Sequence, residues 1–323
     1  MKTLCCALAA LAVAMGSCSD AHAQQNYPER TLRLLFGFPP GSDTPVRVLA
    51  DKLSEALGKS VIVENVTGAA GGIAADRTAK APPDGHTLGV LAAANIVINS
   101  SLYAKLPYDP FKDLVPVILL WEFPNTLVVN NDIPATTVDE LIKLAKANPG
   151  KLTFAHSGIG TTQHLAGELF KSRARIDIQH VPYRGPPQIA TDLLGARVSM
   201  SFLSPGMVLS LINAGNIRAL AVTSRTRAPF VPQIPTMIEL GFPDFDLRAW
   251  FGVFVPAGTP AAIVQRLNKE VVRILALPDV RKHLLESGLV PLSSTPEEIT
   301  ARIEAERPYW AQIIKEVGIQ AIE

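Results

Sequence analysis

The chain has 323 residues, 48% hydrophobic and 18% charged, enough apolar material for one large or two medium cores and too much for a disordered segment. Thirty basic side chains against twenty-nine acidic ones give a formal net charge of +1. With no basic block or aromatic-interleaved stripe, this excludes an electrostatic footprint for nucleic acid or an anionic membrane surface, so any anion recognition has to be local.

The first element is "MKTLCCALAALAVAMGSCSDAHA": Lys2, an apolar run from Leu4 to Met15, then Ala21-His22-Ala23. This is the pattern of a secretory signal peptide cleaved after Ala23, and the run is too short to span a bilayer. A buried N-terminal helix or a lipid anchor on Cys18 are the alternatives. Cys5, Cys6 and Cys18 all fall in this segment, so a mature chain from Gln24 has no thiol, disulfide or cysteine metal site, as suits a Gram-negative periplasm.

Four stretches then repeat one theme of strand, glycine-containing turn and helix: "TLRLLFGFPPGSDTPVRVLADKL", "SVIVENVTGAAGGIAADRTAK", "HTLGVLAAANIVIN" and "KLTFAHSGIGTTQHLAGELF". That alternation predicts α/β architecture. Proline-rich punctuation at "LPYDPFKDLVP" and "RAPFVPQIPTMIELGFPDF" brackets a central block with strands "TLVVNN", "LTFAHS", "VSMSFLS" and "IRALAVTS". The expected organisation is a signal segment 1–23, a first domain from 24–124 plus about 226–323, and a second domain, 125–225, inserted in it. Two C-terminal helical stretches begin at Thr-Pro, where threonine can cap and proline takes the first turn, and are expected to complete the first domain.

Two strand-to-helix turns, one per domain, carry the anion signal: "GFPPGSDTP" (Gly37 to Pro45) and "HSGIGTT" (His156 to Thr162). Such a turn leaves unpaired backbone N–H groups at a helix start, where the dipole favours negative charge. Nucleotide readings fail, because Gln163 stands where a third fingerprint glycine belongs and no P-loop occurs. "TGAAGG" predicts a close-packed turn whose glycines let the two lobes approach. The six histidines show no HExxH and no i, i+4 pair, so no zinc site is expected, and His156 and His164 are expected to pack or bond a loop. No G-x-S-x-G elbow is present. Ser42, Ser157 and Asp43 beside a histidine leave an exported α/β hydrolase acting on a small anion as the alternative function.

In order along the chain, "FGFPPG", "VIVENVTGAAGGIAAD", "APPDGHTL", "YDPFKDLVPV", "SGIGTTQHLAGELF", "HVPYRG", "TDLLGARV", "IRALAVTS", "WFGVFVPAGTP" and "LNKEV" resemble the periplasmic solute receptors of tripartite tricarboxylate transporters, the Bug family, over Tyr27 to Ile319. The resemblance implies a two-lobed Venus-flytrap, type II-like binding-protein fold. It also implies a monomer, without cofactor or metal, that closes on a small carboxylate without turnover and delivers it to membrane transporter subunits. Carried over residue by residue, the first loop is Phe38 to Thr44, with Pro40, Gly41, Ser42 and Asp43. The second is Ser157 to Thr162, with Gly158, Gly160 and Thr161, and the "VPYRG" turn adds Tyr183, Arg184 and Gly185. Ala94 and Asn95 complete a wall, and Phe202 and Leu203 are expected to make it apolar. Two departures stand out. The first loop is about two residues shorter than the family's usual sequence, and Leu203 stands where many relatives carry an acid. A ligand without an amino group is therefore expected, with Asp43 as the residue that could supply the missing charge.

Overall fold

The computed structural model describes residues 27–319; the expected signal segment and its three cysteines lie outside the described residues. β1 (Leu32–Phe36) is followed by α1 (Thr44–Leu57), whose Val46, Leu49, Ala50, Leu53 and Leu57 form one buried stripe at helical spacing. β2 (Val61–Asn65) leads through the "TGAAGG" turn into α2 (Gly72–Ala79), and β3 (Thr87–Ala92) follows, buried along its whole length. A π-type turn over Ala94–Ile98 and a short helix, Asn99–Leu102, then precede β4 (Leu114–Pro124).

One residue, Asn125, separates β4 from β5 (Thr126–Asn130), yet the two strands belong to different sheets. The chain continues through α3 (Val138–Ala147), β6 (Thr153–His156), α4 (Thr162–Ala174), β7 (Gln179–Pro182), α5 (Pro186–Leu194), β8 (Met200–Leu203), α6 (Pro205–Asn213) and β9 (Ile217–Val222). It returns to the first sheet with β10 (Arg248–Pro256), then α7 (Ala261–Leu275), α8 (Pro278–Glu286), β11 (Val290–Pro291) and α9 (Pro296–Val317).

The first sheet has the order β11-β4-β10-β3-β1-β2 and the second β7-β6-β8-β5-β9. Both are mixed. β1 runs parallel to β2 and β3, and β6 parallel to β7 and β8. β10 is antiparallel to β3 and β4, and β5 antiparallel to β8 and β9. The fold is two-lobed and α/β. The parallel strands aim β1 and β6 so that the loops after them face each other, which is where ligands sit in open α/β sheets.

Of the two Thr-Pro helix starts, Thr295 caps α9 in a full capping box with Glu298, whereas Thr259 bonds the Pro256 carbonyl and α7 begins after Pro260. α9 does more than complete the first lobe. It packs against α4 of the second lobe and β4 of the first, and Trp310, Ile313 and Ile314 enter a hydrophobic cluster fed by both sheets. No helix among the described residues is long and apolar enough to cross a membrane.

Candidate functional site

A cavity of about 240 Å³ lies between the lobes, just below the roughly 300–1,000 Å³ typical of ligand sites. Its apolar wall is aromatic: Phe36, Phe38, Trp121, Phe123 and Phe251 line it, with ring centroids 5.6 to 6.3 Å apart. Strand register builds this wall. Phe251 on β10 lies opposite Trp121 on one side and Ala92 on the other, and the small side chain of Ala92 lets Phe36 of β1 reach Phe251 across β3. None of the lining residues is charged.

The polar wall comes from both loops. In the second lobe Ser157, Thr161, Thr162 and Gln163 line the cavity. The Thr161 side chain caps α4 by accepting from the His164 amide, and Gln163 Oε1 accepts from both the amide and the hydroxyl of Ser157, at 3.0 and 2.5 Å. The amides of Thr162 and Gln163, in the first turn, have no intrahelical acceptor, so this end of α4 carries partial positive charge. Asn125, between β4 and β5, donates to Thr162 Oγ1 at 3.0 Å, and its Oδ1 is buried without a partner.

In the first lobe Phe38, Gly41, Ser42, Thr44 and Pro45 reach the cavity. Asp43 does not. Its carboxylate is 2.7 Å from Arg47 and accepts from the Gly41 amide at 3.1 Å. Burial alone raises its pKa, but the bonds from Arg47 and Gly41 outweigh burial and hold the carboxyl below its usual range. Asp43 is thus already satisfied and supplies no free charge to a ligand.

Among the remaining expected residues, Ala94 lines the cavity. Asn95 instead ties the "TGAAGG" turn to β3, donating to the Ala70 carbonyl and accepting from the Ala92 amide. That turn meets the second lobe, for a Cβ on Gly158, whose φ is +119°, would lie 3.0 Å from the Ala70 Cβ. The lobes also meet at Gly185, where a Cβ would lie 2.6 Å from Pro39 Cγ. Pro40 and Arg184 are exposed and lie outside the cavity; Gly160 is buried and also lies outside it. Tyr183 spends its hydroxyl on Asp192 at 2.7 Å.

Phe202 and Leu203 correct the expectation placed on them. Both are fully buried in separate hydrophobic clusters and neither lines the cavity. β8 is a central strand with both faces covered, so its side chains enter the core above and below the sheet. The residue just past its carboxyl end, Ser204, lines the cavity instead. Of the aromatic wall, Phe38 is expected from the first loop, and Phe36 and Phe251 lie inside quoted motifs that do not single them out; Asn125, Ser204, Met207 and Ser287 carry no motif, and for Trp121 and Phe123 only their i, i+2 spacing hints that two rings share a face.

No serine hydroxyl is bonded to histidine among the described residues. Ser42 donates to the Pro39 carbonyl and Ser157 to Gln163. His156, His164 and His180 do come together, contrary to the sequence spacing. Burial pushes the His156 imidazole down to about 4 and that of His164 to about 3, so both rings are neutral at neutral pH.

Two mixed sheets enclosing an interlobe cavity, with a helix start and an aromatic wall facing it, define a solute-binding protein of the two-lobed type. Residues 46–319 match the tripartite tricarboxylate transporter family receptors, and the chain belongs to that family. BugT of Bordetella pertussis (strain Tohama I) is 38% identical over 295 residues, 90% of each chain. Rpa4515 of R. palustris, solved with adipate, has a TM-score of 0.88 at 35% identity, covering 92% of this chain and 100% of that one. MatC (Rpa3494) from Rhodopseudomonas palustris, solved with bound malate, has a TM-score of 0.85 at 31% identity, over 89% and 100%.

Proposed function

We propose that the chain is a periplasmic receptor, exported by cleavage after Ala23, that binds one small carboxylic acid lacking an amino group between its lobes. It passes the acid as a monomer to the membrane subunits of a tripartite tricarboxylate-type transporter and does no chemistry on it. The single observation that carries this reading is the cavity lining: a helix first turn and loop hydroxyls at one end, an aromatic wall at the other, and no charged side chain. A carboxylate is met by neutral donors and the dipole of α4. An ammonium group would be buried with no acidic partner, which is costly. The relatives solved with adipate and malate support the ligand class.

The test is calorimetry with a panel of mono- and dicarboxylic acids beside aspartate, glutamate and their deaminated counterparts, followed by mass spectrometry of the mixture. A cognate acid at a hundredfold excess over its Kd should stabilise the fold by about 2.7 kcal/mol and be recovered intact. Tight binding of aspartate or glutamate without the deaminated acids would sink the ligand class, and product formation scaling with protein would support the hydrolase. N-terminal sequencing of periplasmic material checks export, with Gln24 expected as the first residue.

A further inference from the structure

Three imidazoles meet beside the second loop, outside the cavity lining. His156 ends β6, His164 lies in the first turn of α4, and His180 stands on β7, opposite Phe154 in the parallel register. One ring nitrogen from each lies within 4.8 Å of the other two, and His156 Nε2 is 3.0 Å from His180 Nδ1. His156 and His164 are buried, whereas His180 is exposed.

We propose that His156, His164 and His180 form a site for one zinc-class divalent transition-metal ion. The donor set is three imidazoles with no carboxylate or thiol, which suits Zn²⁺, Ni²⁺ or Cu²⁺ and not the oxygen-seeking Mg²⁺ or Ca²⁺. Exposure of His180 gives the ion a path from solvent and leaves a fourth position for water.

Coordination has a defined consequence for the loop. The Gly158 amide donates to His156 Nδ1 at 3.2 Å, which puts the proton of that neutral ring on Nε2. Metal bound at Nε2 sends this proton to Nδ1 by exchange with water, with no net release, and the Gly158 amide loses its acceptor. Metal occupancy is thereby tied to the backbone of the loop that lines the cavity. The spacing of the three residues, eight and then sixteen apart, is too wide for a short motif, and the strand-helix-strand unit closes it.

Tag-free mature chain from Gln24, stripped with chelator and dialysed against Zn²⁺, should retain about one ion per molecule and melt higher with Zn²⁺ than with EDTA. X-ray absorption should show imidazole nitrogens at about 2.0–2.1 Å from the ion. His180→Gln, at an exposed position, should keep the circular dichroism spectrum and weaken zinc binding about tenfold or more, and His164→Gln should do the same. Failure to retain zinc, or equal zinc affinity in the parent chain and His180→Gln, overturns the proposal.

Discussion

The loop after β1 and the loop after β6 occupy matching places in the two lobes and are held by different chemistry. In the first, a buried carboxylate, Asp43, is fixed by the Arg47 guanidinium and the Gly41 amide, and Asp43 makes no side-chain cap bond to α1. In the second, every restraint is neutral: Thr161 caps α4, and Gln163 gathers the amide and hydroxyl of Ser157. The first loop carries a charge and cancels it on the spot; the second presents uncancelled donors. An anion entering as proposed would be attracted by the second lobe and met without repulsion by the first.

Where the lobes touch, the comparison can be broken by volume alone. Gly185 has φ of 176°, an extended conformation any residue adopts, yet a Cβ there collides with Pro39 of the first loop. Gly185→Ala should weaken carboxylate binding about tenfold to a hundredfold, from an overpacking cost of about 1–3 kcal/mol in the closed form. Equal affinity by calorimetry would mean the lobes close elsewhere.

A smaller effect should separate the loops' internal bonds. Gln163→Ala leaves a buried amide and hydroxyl at Ser157 without an acceptor and should cost about 1–3 kcal/mol in denaturant unfolding. Ser42→Ala removes only a half-buried hydroxyl bonded to its own loop and should cost less than about 1 kcal/mol. Equal costs would show that the depth of burial of these neutral bonds does not distinguish the two loops.

The charge of the first loop is sharpened by acid. Because the folded pKa of Asp43 is lowered, its contribution is complete above the unfolded value of about 3.8 and is lost as pH falls through the folded one. Asp43→Asn should therefore melt lower than the parent chain at pH 6, with the gap narrowing below about pH 3.8. A gap that is constant with pH would show that Asp43 acts through shape and not charge. Arg47→Gln takes the guanidinium from a buried carboxylate and should cost about 1–3 kcal/mol at pH 6, more than Ser42→Ala.

The fold was legible because strand, glycine turn and helix recur with clean periodicity, and both loops fall where that pattern puts them. β7 escaped notice since Gln179, His180 and Pro182 are exposed and give no apolar alternation. Phe202 and Leu203 misled for a geometric reason: sequence shows that a strand is apolar, but not that it lies in the middle of its sheet. The aromatic wall comes from β1, β4 and β10, strands distant in sequence whose registers decide which rings meet. Likewise no spacing rule joins His156, His164 and His180.

The placement of α9 bears on how a bound molecule gets out. Arg173 of α4 bonds Glu316 of α9 at 2.8 Å, and Trp310 is sunk in the cluster shared by both sheets. Separating the lobes like a freely swinging jaw would drag this helix off one of them and wet its apolar face. A shear in which α9 slides while staying covered avoids that cost. If the proposed solute leaves by such a shear, its exit runs through a narrow gap at the rim, and rim residues would then set residence time more than the floor of the cavity.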